Sequence, residues 1–194
     1  MTAATPRTLA WLNYLYLLLM MLVIAAILTA AMAMQYIGGE LPCPLCLLQR
    51  VALFGVCFGI IATFRNGDSG RYSGLSLMFA IFLLVVSVRQ SLLDIYPRPG
   101  HAYIGSAVFG IHMPVWCVLI ALALLIAYAV KLAVLDGPDA RAIPLAEFPT
   151  LARAAKIAGA FVIVLCAINL VSVVVQCGFD ACHTSGYRLL QAAP

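Results

Sequence analysis

Five long apolar segments constrain this chain more than any other feature of its sequence. They lie near residues 10–33, 47–64, 73–90, 114–134 and 157–176. An α-helix needs about 20 consecutive apolar residues to cross the roughly 30 Å hydrocarbon layer of a bilayer. Only 9% of the residues are charged, whereas about a quarter are charged in soluble domains. The sequence therefore predicts an all-α transmembrane helix bundle of five spans, with the first span retained rather than cleaved as a signal peptide.

The distribution of Lys and Arg predicts the orientation of these spans, because short cytoplasmic loops carry an excess of both residues. With a cytoplasmic N-terminus, the inner segments hold Arg7, Arg65, Arg71, Lys131, Arg141, Arg153 and Lys156. The outer segments then hold Arg50, Arg89, Arg98 and Arg188. An odd number of spans places the C-terminus in the periplasm. The net charge of +4 is small and scattered, which argues against a nucleic-acid partner.

Four of the seven cysteines form two closely spaced pairs at span ends on the predicted outer side. Cys43 and Cys46 lie in the stretch ELPCPLCLLQR, and Cys177 and Cys182 lie in QCGFDACHTSGYR. A C-x-x-C disulfide closes too short a loop to stabilise a fold strongly, and this spacing is more often redox-active or metal-binding. For the tail pair two interpretations stay open: a local structural disulfide, or a disulfide that exchanges electrons with the first pair.

The residues around the first pair favour chemistry at Cys46. Cys46 is predicted in the first turn of the second helix, where unpaired backbone N–H groups favour a thiolate. Arg50 follows four residues later and lies on the same helical face. Its guanidinium could stabilise a thiolate and a developing negative charge on a lipid-borne acceptor, or it could simply reach the lipid headgroups. Gln49 could add a neutral hydrogen-bond donor or face water.

Three further motifs occur in order along the first four spans. They are PCPLCLLQR followed by VALFGV, LLDIYPRP at the end of the third span, and MPVW at the start of the fourth. Together they resemble the bacterial disulfide-bond formation protein B (DsbB) family over about residues 10–134. The resemblance implies a four-helix bundle of the inner membrane that passes electrons from a periplasmic thioredoxin-fold oxidase, DsbA, through two disulfides to ubiquinone or menaquinone. It further implies that Cys46 lies next to the quinone, that Cys43 exchanges with the second pair, and that Arg50 belongs to the quinone site.

The chain departs from that family in its second cysteine pair. Family members usually carry this pair in the outer loop between spans three and four, but residues 91–112 contain no cysteine. We therefore expect the tail pair, Cys177 and Cys182, to replace the loop pair. Gln90 stands where the family often has a histidine near the quinone, with Arg89 beside it, so both are candidate quinone-site residues.

The predicted organisation is a DsbB-like core over residues 1–134, a cytoplasmic linker over 135–156, the fifth span over 157–176 and a periplasmic tail over 177–194. The predicted function is a quinone-dependent thiol oxidase that reoxidises a DsbA-like carrier and has no resident metal. Two alternatives stay open. The four cysteines, with His183 nearby, could form a zinc site, or the chain could be a non-catalytic membrane adaptor whose tail pair is a local staple.

Several other residues have simpler structural interpretations. Gly55 and Gly59 form a G-x-x-x-G pattern, which predicts a close helix-packing face. Asn169 in the fifth span is expected to form a hydrogen bond with a neighbouring helix. The loop before the fourth span is expected to lie at the membrane surface, although its His101 and His112 could also move protons.

Overall fold

The computed structural model describes residues 5–95 and 107–178, together with residues 182, 186, 187 and 189. Almost all of these residues are helical. The α-helices are α1 (Pro6–Tyr36), α2 (Pro44–Asn66), α3 (Gly70–Ile95), α4 (Met113–Val130), α5 (Pro138–Arg141) and α6 (Pro149–Cys177). All of them except α5 are long and apolar enough to cross a membrane, so the predicted multi-pass, all-α membrane bundle with five spans is confirmed.

The helices extend beyond the predicted apolar windows at their polar ends. A π-helical turn at Lys131–Leu135 continues α4, and a 3-10 turn at Leu145–Glu147 precedes α6. The last helix begins at Pro149, well before residue 157, because proline is preorganised for the first helical position. A hydropathy window detects only the part of a helix that lies in hydrocarbon, so a helix can begin before the predicted span.

The packing of α2 against α3 depends on its two glycines. A Cβ atom at Gly59 would lie 2.8 Å from the backbone oxygen of Tyr72, and one at Gly55 would overlap the ring of Phe79. Two helices approach this closely only where side chains are absent. The G-x-x-x-G pattern therefore forms the predicted close-packing face.

The core of the bundle combines residues of α1, α2, α3, α4 and α6. Its fully buried members include Leu28, Ile60, Leu83, Ala121 and Val162. Many large apolar side chains are instead exposed on the outside of the bundle. In a soluble protein such a continuous apolar exterior would be unusual, whereas a bilayer provides its natural solvent.

A small hairpin before α4 is the one departure from an all-α fold in the described residues. Its strands β1 (Ala107–Val108) and β2 (Ile111–His112) pair antiparallel, and the turn at residues 109–110 has positive φ at both positions, as a two-residue type I′ turn requires. The indole Nε1 of Trp116 donates to the Val108 carbonyl over 3.0 Å. His101, which was a candidate proton carrier, lies outside the described residues.

Candidate functional site

The first cysteine pair forms a disulfide at the N-terminus of α2. Cys43 is the N-cap residue, Pro44 opens the helix and Cys46 lies in its first turn, as the sequence predicts. The two Cα atoms are 5.0 Å apart, and the Cys43 sulfur accepts a hydrogen bond from the Cys46 backbone N–H over 3.1 Å. Both sulfurs therefore lie at the positive end of the α2 dipole, where a thiolate is stabilised.

Gln90 of α3 contacts both sulfurs of this disulfide. Its Nε2 lies 3.4 Å from the Cys43 sulfur and 3.5 Å from the Cys46 sulfur. Gln49 holds Gln90 in this orientation, because Gln49 Nε2 donates to Gln90 Oε1 over 3.0 Å and to Ser87 Oγ over 3.2 Å. The carboxamide of Gln90 can stabilise a departing thiolate, but unlike a histidine it has no proton to release near neutral pH.

Arg50 is buried and turns its guanidinium toward α1 and α6. Its Nη1 donates to Gln35 Oε1 over 2.6 Å and to Asn169 Oδ1 over 3.3 Å, and its Nη2 donates to the Ala31 carbonyl over 3.0 Å. Within the described part of the chain, no carboxylate forms an ion pair with this guanidinium and its Nε–H has no acceptor. Arg50 is therefore a buried cation with neutral partners and an unused donor.

Arg89 does not join this group. Its side chain is exposed on α3, whereas the adjacent Gln90 is buried. Of the four candidate quinone-site residues, only Gln90 contacts the sulfurs, and Gln49 contacts Gln90. Arg50 points between α1 and α6, and Arg89 is exposed on the side of the bundle.

The second cysteine pair forms a disulfide at the C-terminus of α6. Cys177 is the last residue of that helix and is buried, and its Cα lies 4.4 Å from that of Cys182. The side chain of Gln176 donates from Nε2 to the backbone oxygen of Pro42 over 2.9 Å. Pro42 directly precedes Cys43, so one hydrogen bond joins the immediate neighbours of the two disulfides. Both pairs lie at the same end of the bundle, which we call the disulfide end.

Gln35 of α1 connects the tail to Arg50, and sequence reasoning missed it. Its Oε1 accepts from Arg50, while its Nε2 donates to Ser172 Oγ over 2.6 Å and to the hydroxyl of Tyr187 over 3.1 Å. The expected hydrogen bond of Asn169 to another helix is also present, with Arg50 as its donor. A glutamine just beyond the end of the first apolar span was the available signal, since buried polar groups in membrane helices often mark functional sites.

A cavity of about 540 Å³ adjoins this network. Tyr36 of α1, Tyr187 of the tail and one face of α6 line it, and Ser172 provides its polar corner. Its volume lies within the usual range for small-molecule sites, roughly 300 to 1,000 Å³. The disulfide end therefore combines two disulfides, a buried cation and an apolar cavity.

Comparison with known proteins identifies the region that carries the first disulfide. The family model for the disulfide bond formation protein DsbB matches residues 13–103. Relatives named disulfide bond formation protein B include that of Acidovorax sp. (strain JS42), 40% identical over 89 residues, and that of Chromohalobacter salexigens, 32% identical over 114 residues. The region over residues 13–103 is similar to the DsbB family.

The DsbB similarity covers only part of each protein. The Acidovorax match spans 44% of this chain and 50% of the relative, and the Chromohalobacter match spans 53% and 63%. The chain thus spans about half the length of the curated relatives it matches. No solved structure matches it. The DsbB match includes Cys43, Cys46, Arg50 and Gln90 but ends before α4, so α6 and the tail disulfide lie outside it.

A second polar cluster, also missed from the sequence, lies at the opposite end of the bundle. Lys131 of α4 and Asp68 of the α2–α3 loop form a buried ion pair with Nζ–O distances of 2.8 and 3.0 Å. Ser73 accepts from Lys131 over 3.0 Å, and Asn13 donates to Asp68 over 2.7 Å. The sequence analysis used Lys131 only as a topology marker. We call these four residues the Lys131 cluster.

Proposed function

We propose that this chain is a DsbB-family, quinone-dependent thiol oxidase that reoxidises a DsbA-like dithiol carrier in the periplasm. The observation that carries the proposal is the placement of both disulfides at one end of the bundle, with Gln176 hydrogen-bonded to Pro42. Thiol–disulfide exchange requires the attacking thiolate and the target sulfur to meet directly. The hydrogen bond between the neighbours of the two pairs supports such an encounter between the tail pair and the α2 pair.

The proposed orientation follows from the excess of Lys and Arg on one side. The N-terminus and the linker over residues 135–156 lie in the cytoplasm, and the tail over residues 177–194 lies in the periplasm. Residues 1–134 then form the DsbB-like core of a bacterial inner-membrane protein. This orientation exposes the tail disulfide to an oxidising compartment, where disulfides persist.

Electrons enter at the tail, and burial distinguishes its two sulfurs. Cys177 is buried, whereas Cys182 is partly exposed. A carrier thiolate attacks the Cys182 sulfur, and Cys177 leaves as a thiolate. The second thiol of the carrier then loses its proton and displaces Cys182, so that the carrier departs as a disulfide and both tail cysteines are reduced. Two electrons have moved from the carrier to the tail.

The tail then passes the electron pair to the α2 disulfide. The Cys177 thiolate attacks the Cys43 sulfur, and Cys46 leaves as a thiolate, stabilised by the α2 N-terminus and by Gln90. The Cys182 thiolate next attacks Cys177, which re-forms the tail disulfide and releases Cys43. The α2 pair is now reduced, and its oxidation back to the Cys43–Cys46 disulfide completes the cycle.

The residues at the disulfide end fit a quinone. Arg50 offers an unused Nε–H and an uncompensated positive charge, which suit a carbonyl oxygen that gains electron density. Both N–H groups of Gln49 are already donated to Ser87 and Gln90, so Gln49 acts by positioning Gln90. Bound there, ubiquinone or menaquinone would supply an acceptor for two electrons and two protons. The apolar cavity beside Ser172 has room for the hydrophobic part of such a molecule.

The proposal is tested by quinone reduction with purified full-length protein, a reduced thioredoxin-fold dithiol protein and a short-chain ubiquinone. The Cys46→Ser variant is expected to abolish reduction, because the α2 disulfide cannot form and the Cys46 thiolate that would deliver electrons to the quinone is absent. Cys57→Ser is the matched control, since Cys57 is a free, buried cysteine on the same helix, and it should retain activity. Undiminished turnover of Cys46→Ser would overturn the proposal.

The pairing of the cysteines favours this function over the zinc-binding alternative. Zinc binds cysteine as the thiolate, and all four relevant sulfurs are joined in disulfides. His183, the reserve ligand of that alternative, lies outside the described residues. Deletion of residues 177–194 distinguishes the remaining alternative: loss of carrier oxidation supports the relay, whereas full activity would identify the tail pair as a local staple.

A further inference from the structure

A second, larger cavity lies between α2 and α6 at the end of the bundle that holds the Lys131 cluster. Its volume is about 940 Å³, and none of its lining residues takes part in the proposed electron path. One wall is the last part of α2, and the other is the first part of α6 with the 3-10 turn before it. Most of the lining residues belong to α6, which lies outside the segment that the DsbB similarity covers, whereas the α2 wall lies inside that segment.

The mouth of this cavity is strongly basic. Arg65 from the last turn of α2 faces Arg153 and Lys156 from the start of α6, and none of the described residues that line the cavity is Asp or Glu. In the described part of the chain, none of these three cations forms an ion pair with a carboxylate. The nearby Glu147 instead lies 3.9 Å from Arg7. The three charges therefore remain available to an anion.

Below the cations, the lining becomes apolar. Ile61 and Phe64 of α2 face Gly159, Ala160 and Ile163 of α6. A Cβ atom at Gly159 would lie 3.5 Å from Ile61, so the two helices are separated by little more than a small side chain at this point. Ala160 and Ile163 are exposed on the apolar outer surface of the bundle. The cavity is thus a groove that opens sideways toward the bilayer.

We propose that this groove binds one anionic phospholipid. Arg65, Arg153 and Lys156 hold its phosphate, since guanidinium groups bind phosphate oxygens bidentately and lysine adds a point charge. The apolar wall below holds the upper parts of its acyl chains. Charge complementarity selects this occupant: a phosphate at the polar boundary with hydrocarbon directly beneath it matches both halves of the groove, and basic pockets between transmembrane helices are suited to anionic headgroups.

The test is native mass spectrometry of the full-length protein in a neutral detergent, with added phosphatidylglycerol or with phosphatidylcholine of identical acyl chains. We expect one retained phosphatidylglycerol per chain and at least tenfold weaker retention of phosphatidylcholine. The double variant Arg65→Gln with Lys156→Gln should bind about 25-fold more weakly, at roughly fivefold per cation. The matched control, Arg7→Gln with Arg71→Gln, removes the same charge from exposed positions outside the groove and should bind normally.

Two further measurements distinguish a bound lipid from other occupants of the groove. Ala160→Trp adds a large side chain at an exposed position of the apolar wall and so narrows the groove. It should weaken lipid retention while leaving the melting temperature unchanged. Inorganic phosphate at millimolar concentration should not displace the lipid. The proposal is overturned if both lipids bind equally, if the double variant binds like the control, if phosphate alone displaces the lipid, or if the same variants abolish a lipid-free dimer.

Discussion

Among the described residues, the bundle buries one cation near each end, and the two are held in opposite ways. Lys131 faces the carboxylate of Asp68 at 2.8 Å and 3.0 Å, so its charge is neutralised inside the protein. Arg50 is also buried, but its partners are the amide oxygens of Gln35 and Asn169 and a backbone carbonyl. A neutralised pair contributes to the fold, whereas a cation with neutral partners keeps a field that an electron-rich ligand can use.

The largest expected effect is on stability at Lys131. Lys131→Met leaves the Asp68 carboxylate buried without its cation and should lower the free energy of unfolding by about 3–5 kcal/mol. Lys131→Met combined with Asp68→Leu should recover most of that loss, because no charge is then left unpaired. Unfolding in mixed micelles measures both variants. If Lys131→Met alone is no less stable than Lys131→Met with Asp68→Leu, the ion pair does not neutralise a buried charge in the way described for Lys131.

Arg50 should show the reverse pattern, with a loss of activity and little loss of stability. Arg50→Gln removes the charged donor and should slow quinone reduction about 10- to 100-fold, since a hydrogen bond from a charged group contributes about 1.5–3 kcal/mol. Exchange between the two disulfides, followed in a single turnover without quinone, should be unchanged. A variant that is strongly destabilised but retains normal quinone kinetics would make Arg50 a structural residue like Lys131.

Asn169 offers a smaller test of how Arg50 is positioned. Asn169→Leu removes the acceptor that α6 provides for Arg50. The hydrogen bonds that Arg50 donates to Gln35 and Ala31 remain. We expect about a fivefold rise in the KM for quinone with little change in kcat, corresponding to about 1 kcal/mol for one hydrogen bond inside a membrane bundle. Asn169→Gln, which keeps the carboxamide, should restore part of the affinity. If Asn169→Leu and Asn169→Gln raise the KM for quinone equally, Asn169 does not position Arg50.

The smallest expected effect is the pH dependence of an exposed pair beside the Lys131 cluster. The hydrogen bond from Arg141 holds the pKa of the Asp136 carboxyl below its ordinary value. The stability that this carboxylate contributes is therefore present above the ordinary pKa of about 3.9 and is lost as the pH falls through the lower, folded-state pKa.

Asp136→Asn should cost at most about 1 kcal/mol at pH 7, because the pair is accessible to solvent. The stabilities of the variant and the parent should converge as the pH falls below 4. A difference that stayed constant between pH 7 and pH 3 would show that the carboxylate charge contributes nothing.

Local patterns in the sequence predicted the helices and the first cysteine pair, because hydropathy and helix-capping rules depend on neighbouring residues. The spans, the position of Cys46 in a first helical turn and the glycine-packed face all follow from such patterns. The partners of the buried cations do not, since Lys131 and Asp68 are 63 residues apart and Arg50 contacts a residue 119 positions away. Spacing placed Arg50 on the face of Cys46, but its long side chain reaches toward α1 and α6 instead.

The central claim is that the tail disulfide exchanges directly with the α2 disulfide. The most direct measurement is peptide mapping by mass spectrometry of the oxidised Cys46→Ala, Cys182→Ala variant, which leaves Cys43 and Cys177 without their own partners. The account predicts a Cys43–Cys177 disulfide in most molecules. A variant that also lacks Cys177 tests specificity, because Cys166 is exposed on α6 but lies about 16 Å further along that helix. Free Cys43 and Cys177 thiols, or pairing of Cys43 with Cys166 instead, would contradict the relay.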